Sequence, residues 1–369
     1  MVEWRKIGEV CKTITPPKKL RTVTYQDIGL YPIIDQGQNA IVGYTDDETA
    51  LLPKDEYVLF GDHTRFVKYF KGRFAQGADG LKILKAKESI TPQYFFYAFD
   101  NIEVPTRGYS RHWSIAKELL IPVPSIAEQH RIVDILDTFT AAIDNLKQQI
   151  EKRRKQYEYY RDQLLDLEGK EGVEMKKLGD VLVSLKTGLN PRKNFVLNSP
   201  GSKNFYITVR ELGHYNITPT DKTDMVTDEA LRLINNRSNL EKGDVLFSGT
   251  GTIGRTALVK EKPNNWNIKE GVYTLKPIQS VISSKFLIEL LHTNPIMDKM
   301  NSFIVGDPIR SVPMKSLVLV SIPVPSLEEQ SRIVGILDTF EASIANLEQQ
   351  LEMREKQYEY YRNKLLDFE

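Results

Sequence analysis

At 369 residues, 41% of them hydrophobic and 27% charged, the chain exceeds one average domain and can bury real cores, which excludes a disordered chain. A single cysteine, Cys11, excludes an intramolecular disulfide and fits a reducing compartment. The net charge of +1 hides an alternation: Lys+Arg against Asp+Glu is 17 to 15 in residues 1–124, 8 to 10 in 125–173, 20 to 14 in 174–325 and 5 to 10 in 326–369. Two basic blocks thus alternate with two acidic ones, so different blocks are expected to meet different partners. No charged-then-apolar leader opens the sequence and no apolar run is long enough for a bilayer, so a cytoplasmic protein without membrane contact is expected.

The first block, 1–124, opens on WRKIGEV (4–10) and carries β-like runs such as YVLF (57–60) and GLKILKA (80–86), then an apolar helical stretch, PQYFFYAF (92–99). Between these lie TPPKKLRT (15–22), HTRFVKYFKGR (63–73) and PTRGYSRHW (105–113), loops that mix Arg and Lys with aromatics and hydroxyls.

The next block, 125–173, begins after the Pro-rich IPVP of 121–124, which cannot be helix interior. Ser125 with Glu128 offers a capping box, and beyond it apolar residues fall on a 4–3 spacing: Ile132, Leu136, Phe139, Ile143, Leu146, Ile150, then Tyr157, Tyr160, Leu164 and Leu167. A period of 3.5 held over about five heptads predicts a coiled-coil seam. Gly169 is the expected helix stop.

A third block, 174–325, repeats the order of the first: MKKLGDV (175–181) resembles WRKIGEV, VLF (245–247) answers VLF (58–60), GVYTLKP (271–277) answers GLKILKA, and SSKFLIELL (283–291) is again helical. YITV (206–209), DVLFS (244–248) and TALVK (256–260) read as further strands, so both blocks are expected to be strand-rich mixed α/β folds. The intervening loops differ from those of the first block: LKTGLNPRKNF (185–195), GTIGR (251–255), NNWNIK (264–269) and GDPIRSVPMK (306–315).

The last block, 326–369, writes the helix again. Residues 121–168 and 322–369 align without gaps and are identical at 34 of 48 positions. Ser326 with Glu329 repeats the capping box, and the seam recurs as Ile333, Leu337, Phe340, Ile344, Leu347, Leu351, Tyr358, Tyr361, Leu365 and Phe368. One seam position is polar in both copies, Arg153 and Arg354, which either snorkel out or fix pairing register. The short linker at 168–174 starts the second globular block near the end of the first helix. The second helix must then run back, giving an antiparallel coiled coil of two long helices with a globular domain at each end and approximate two-fold symmetry. At about 1.5 Å per residue, some 40 residues make a rod of roughly 60 Å. In that arrangement Tyr157 and Tyr160, and Tyr358 and Tyr361, lie at the far end of each helix, beside the opposite globular block, with their hydroxyls at the seam's edge.

Chemistry is hard to find. GTGTIG (249–254) matches G-x-G-x-x-G, but the sequel RTALVKEKP reads as a strand rather than a helix, so a turn between strands is expected, not a nucleotide site. No Walker A motif is present, and the histidines at 63, 112, 130, 214 and 292 lie too far apart for metal-ligand spacing, so no catalytic residue and no metal site is expected. The Asn/Asp-Pro-Pro-aromatic motif of adenine methyltransferases is approached only by Asn190-Pro191-Arg192 and Asn294-Pro295-Ile296, which do not qualify.

Cationic side chains on both sets of variable loops can neutralise phosphates, and Arg, Asn and Gln can read base edges. Candidate DNA contacts are Lys19, Arg21, Arg65, Arg73, Arg107 and Arg111 in the first block and Arg192, Lys193, Arg255, Lys269 and Arg310 in the third. A coiled-coil scaffold that never touches DNA is the alternative. The stretches IPVPSIAEQHRIVDILD and IPVPSLEEQSRIVGILD, the twin KQYEYYR segments and GTIGR after DVLFS make the chain resemble, end to end, the specificity subunits of type I restriction–modification systems. That resemblance implies target-recognition domains at 1–124 and 174–325, separated and followed by spacer helices at 125–173 and 326–369. It further implies that each domain reads one half of a split, asymmetric site in double-stranded DNA. Two modification subunits that bind S-adenosylmethionine, and two restriction subunits that use ATP and Mg2+, would be partners, with no cofactor on this chain. The acidic helices, with Glu328, Glu329, Glu341, Glu348 and Glu355 in the second copy, suit a protein partner better than DNA.

Overall fold

Prolines at 122 and 124, and at 323 and 325, bar both IPVP segments from helix, and each segment becomes a strand instead. Leu120–Val123 pairs antiparallel with Glu3–Lys6, placing Trp4 opposite Pro122. Ser321–Val324 pairs with Glu174–Lys177 in the same register, with Met175 opposite Pro323. The computed structural model describes residues 2–368 apart from 78, 79, 107, 109, 193, 214 and 307–309. The chain folds as two compact units, Met1–Gln149 with Leu347–Glu369, and Ile150–Asn346. Each unit therefore combines one globular head with part of both long helices.

The heads share one plan. In the first, a four-stranded antiparallel sheet runs Cys11–Ile14, Leu81–Ala86, Asp55–Gly61, Val67–Gly72, and a mixed three-stranded sheet runs Gly43–Thr45, Tyr31–Ile34, Ala75–Gln76. In the second, the order is Leu182–Thr187, Val272–Pro277, Val245–Ser248, Thr256–Leu258, beside Met225–Val226, Asn204–Ile207, Trp266–Ile268. The apolar runs VLF and DVLFS show why: strands covered on both faces need no polar side. Val58 and Phe60 pack toward the helix Pro92–Asp100, while Tyr57 and Leu59 pack on the other face with Ile34 and Phe74. Val245 and Phe247 likewise join the core holding the helix Ser284–Leu291, and Leu246 faces Ile207 and Ile268. The helical stretches expected at 92–99 and 283–291 are thus the covering layer. GTGTIG is a turn between the antiparallel strands Val245–Ser248 and Thr256–Leu258, and no helix opens there.

Two 40-residue helices, Ile126–Leu165 and Leu327–Leu366, carry the repeat. Only half of each expected capping box forms. Ser125 Oγ accepts from the Glu128 N–H and Ser326 Oγ from the Glu329 N–H, both at 3.3 Å. The two glutamates do not return to the cap; they make paired hydrogen bonds of 2.6–2.9 Å with Arg131 and Arg332 one turn on. A charged fork is the stronger partner for a carboxylate. The first helix ends at Leu165, four residues before Gly169, because buried Leu167 leaves the helix to join the second unit's core. Gly169 (φ +77°) then forms part of the exit turn.

Within each unit the helix segments pair antiparallel. In the first unit Phe139 stacks on Tyr361 at 5.3 Å and Lys147 meets Glu355 at 3.2 Å, so rising numbers face falling ones. In the second, Tyr160 stacks on Phe340 at 5.4 Å. Along the expected seam, Ile132, Leu136, Ile143, Ile150, Tyr157, Ile333, Leu337 and Ile344 are buried. Phe139, Leu146, Leu164, Phe340, Leu347, Leu351, Tyr358 and Leu365 are half-buried. Tyr160 and Tyr361 are exposed (45% and 42%), lying over the opposing phenylalanines at the seam's edge rather than within it. Arg153 and Arg354 neither leave the pair nor enter its core: each guanidinium lies over the same rings, 5.9 Å from Phe340 and 5.8 Å from Phe139. Among the described residues, no helix is long and apolar enough to cross a membrane.

Candidate nucleic-acid interface

In the first head, a buried carboxylate organises the cationic loops. Asp62 is 1% exposed at the tip of the strand Asp55–Gly61; its side chain accepts the Trp113 N–H at 2.7 Å and its carbonyl accepts the His112 N–H at 2.8 Å. Lys82 lies 3.5 Å from the same carboxylate. This ties the segment bearing Arg111 to the hairpin turn bearing Arg65. Arg65 is exposed, sits in the left-handed region (φ +66°) and donates from Nη1 to the Val104 carbonyl at 2.9 Å, a second tie between the two loops. A non-glycine residue in that region is uncommon and is tolerated where surrounding contacts hold it. The loop 35–39 is fastened to the same hairpin: Thr64 donates to the Gln36 carbonyl and Lys68 to the carbonyls of Asp35 and Asn39, at 2.5–3.0 Å.

Three other candidates ride on the small sheet. Lys19 and Arg21 are exposed and flank Leu20, whose N–H donates to the Gln76 carbonyl. Arg73 lies 5.1 Å above the Tyr31 ring. First-head candidates therefore fall into two groups, Arg65 with Arg111 and Lys19 with Arg21 and Arg73. Arg107 lies outside the described residues, as does Lys193 in the second head.

The second head carries a cleft of about 420 Å³ lined by Asn190, Arg210, Asp224, Thr250, Lys269 and Glu270, among others; among the described residues Lys269 is the one candidate of this head that lines it. Lys269 stands at its edge, and exposed Arg192 (φ +29°) follows Pro191, which also lines it. Arg255 is exposed but engaged, donating to the carbonyls of Val209 and Leu212 at 3.2 and 3.5 Å. Arg310 is joined to the glycine turn through its own carbonyl, which accepts the Gly251 N–H at 2.9 Å. Gly251 sits at φ +79°, a left-handed conformation that glycine adopts without strain.

Each head also meets the helices through a polar joint that sequence reasoning missed. In the second unit the Tyr157 hydroxyl donates to Glu289 at 2.8 Å and lies 3.0 Å from the Tyr215 hydroxyl, beside a cavity of about 460 Å³ that Arg154, Arg161 and His292 also line. Burial pushes the Glu289 carboxyl up to about 7, against the lowering effect of the tyrosine hydrogen bonds. In the first unit Tyr97 donates to Asp137 at 2.6 Å and Arg362 approaches Asp100 at 3.5 Å. Burial raises Asp100, with Arg362 opposing. Arg210, Asp62 and the buried glutamines Gln129 and Gln330 were missed too. Only the glutamines left a legible signal, identity at the same repeat position.

This arrangement holds cations on ordered loops. Among the described residues no group of three His, Cys, Asp or Glu could hold a metal ion.

A family model described as the type I restriction modification DNA specificity domain matches residues 1–153 and 170–353. A specificity subunit of an Escherichia coli type I restriction enzyme is 29% identical over 392 residues, spanning all of this chain and 94% of that one. The crystal structure of a type I system S subunit from M. genitalium superposes with a TM-score of 0.59 at 18% identity, covering 100% of this chain and 97% of that one. A solved structure concerned with complex assembly and conformational transition of a type I system gives the same TM-score, also at 18% identity, over 99% and 96%. At that identity the structural likeness speaks to fold.

Proposed function

Because the chain belongs to the type I restriction–modification DNA specificity family, we propose that each head reads one half of a split, asymmetric site in double-stranded DNA while the helices set the unread gap. The chain is the non-catalytic specificity subunit of such a system. The observation that carries the division of labour is internal: one sheet plan is used twice with different loops, while the helices are near-duplicates. Different loops suit different half-sites; duplicated helices suit two equivalent platforms for one kind of partner.

Backbone phosphates would be met by the exposed cations on both heads, with base edges read from the same loops. Two modification subunits would dock on the acidic helices, bring S-adenosylmethionine and methylate adenines flipped from the duplex. Two restriction subunits would add ATP- and Mg2+-driven steps. This chain would carry no cofactor, and the assembly would work in the cytoplasm beside the DNA.

Methylation-sensitive sequencing of DNA from cells carrying this chain and its modification subunit tests the reading. A split motif with adenine methylated in each half is expected, and replacing residues 174–321 should change one half and leave the other. A stable complex that methylates no split motif would return the chain to the scaffold alternative.

A further inference from the structure

Two glutamines occupy the same place in the repeat, Gln129 and Gln330, and both are 0% exposed. An uncharged amide at full burial has to satisfy one acceptor and two donors from the protein itself. Gln129 does so through three backbone groups on two pieces of chain. Its Oε1 accepts the Thr91 N–H at 2.8 Å, at the start of the head's covering helix. Its Nε2 donates to the Ser89 carbonyl at 3.1 Å, in the loop before that helix, and to the Pro124 carbonyl at 3.0 Å, where the chain leaves the head. Gln330 repeats each bond: Oε1 accepts the Ser283 N–H at 2.9 Å, and Nε2 donates to the carbonyls of Val281 at 2.9 Å and Pro325 at 3.0 Å.

The surrounding sequence does not require this. Ser89 and Val281, and Thr91 and Ser283, differ in side chain, yet the bonds go to backbone groups at the same spacing in both heads. Holding the helix to the head needs no amide, since apolar packing by Ile132 and Leu136, or by Ile333 and Leu337, already does that. Apolar contact is non-directional, whereas three hydrogen bonds from one planar group fix direction. The bonds leave from the first turn of the long helix and end on the head, so they resist rotation of one on the other.

We propose that Gln129 and Gln330 are positioning residues that set the angle of each head on its helix and thereby the strictness of the gap between half-sites. The inference rests on the two-reader function proposed above. Neither residue touches DNA.

The test uses the full chain assembled with its modification subunits and a panel of duplexes whose natural half-sites are separated by the natural gap or by one base pair more or less. The readout is the ratio of methylation rates at natural and altered gaps. Since misplacement of about 1 Å can change a rate by roughly a hundredfold, Gln129→Met with Gln330→Met should lower that ratio about tenfold. Glu at the same positions, which keeps the acceptor but turns both donor contacts into repulsions, should lower it further. Ser125→Ala with Ser326→Ala, which removes the helix caps and leaves the clamps, should reduce stability and leave the ratio unchanged. If the double Met variant fails to assemble, each single variant carries the same test, with hydrogen exchange expected to lose protection at Thr91 or Ser283, whichever clamp was cut. A wild-type assembly that methylates no split site overturns the two-reader function itself. An assembly that discriminates gaps, and goes on doing so equally in the Met variants, overturns only the clamp.

Discussion

The two head–helix joints begin from the same residues and end in different chemistry. Tyr157 and Tyr358 are twins in the repeat, as are Arg161 and Arg362, and in both units the guanidinium lies over the tyrosine ring, at 5.8 and 5.6 Å. What differs is the head side. The covering helix brings Glu289 to Tyr157 in the second unit; counted from the clamped residues Ser283 and Thr91, the corresponding position in the first is Tyr97, which turns to Asp137. The first unit's arginine approaches Asp100, whereas Arg161 pairs with its own neighbour Asp162 at 3.1 Å. The repeat stays nearly constant where helix meets helix, and its surroundings diverge where helix meets head. A duplicated frame thus tolerates different heads by absorbing their differences in the joint.

Unequal treatment of the two helices should have the largest effect. Each unit needs part of both helices, so four residues inserted into one alone, about 6 Å of rise, would shift one seam against an unshifted partner. That variant should lose assembly. Equal insertions in both should restore it and lengthen the recognised gap by one or two base pairs at about 3.4 Å each, abolishing methylation of the original site. Unchanged spacing after the double insertion would sink the spacer role. Next in size are twin core truncations. Leu136 and Leu337 are both 0% exposed, and alanine at either should cost roughly 2 to 5 kcal/mol by denaturant unfolding. If the frame is equivalent in the two units, the two costs should agree closely.

The joints should separate on titration. Glu289 is raised from 4.5 to about 7, so the folded second unit binds a proton that the unfolded chain has already released between those values. Its contribution is fully present below about pH 4.5 and is lost as pH rises through 7, an effect on the order of 3 kcal/mol for a shift of this size. Glu289→Gln should therefore flatten the decline of second-unit stability between pH 5 and 8, followed by hydrogen exchange of its strand amides. In the first unit the carboxyl raised by burial is Asp100, opposed by Arg362, so Glu289→Gln should leave the pH slope of that unit unchanged. A variant at Glu289 that kept the wild-type slope would assign the titration elsewhere.

Legibility followed range. The helices, their seam and their antiparallel sense could be read because a 3.5-residue period and a 34-of-48 repeat are local signals. Strands such as 57–60 and 245–248 were legible as apolar runs, and the strand pattern of RTALVK, directly after the glycines, separated their turn from a nucleotide loop. The repeat placed Tyr157 beside the second head, but its hydroxyl is buried there rather than at the seam's edge, and nothing near Glu289 in sequence announces it as the partner, 132 residues away. The capping boxes misled because Arg131 and Arg332 compete for the same glutamates, and Gly169 misled because burial of Leu167 ends the helix sooner. For the candidate DNA contacts, residue type alone could not tell the loop fastened by Asp62 from the small sheet that carries Arg73.

The smallest effect concerns Arg153 and Arg354, polar residues in an otherwise apolar seam. If either fixed the register, replacing both by leucine should scatter the assembly among oligomeric forms and gaps. The geometry argues for a lesser part. Each guanidinium covers a phenylalanine whose ring is also stacked by a tyrosine, Phe340 by Tyr160 and Phe139 by Tyr361, so the aromatic pairs hold the antiparallel alignment without it. A cation over an accessible ring is worth about 0.5 to 1 kcal/mol. Arg153→Leu with Arg354→Leu should keep one oligomeric form and one gap, with a loss of that order per site. Phe139→Leu with Phe340→Leu, which removes the ring that both the tyrosine and the arginine contact, should be the more damaging pair. The reverse ranking, or a second gap length in the arginine variant, would move register control from the aromatic stacks to the arginines.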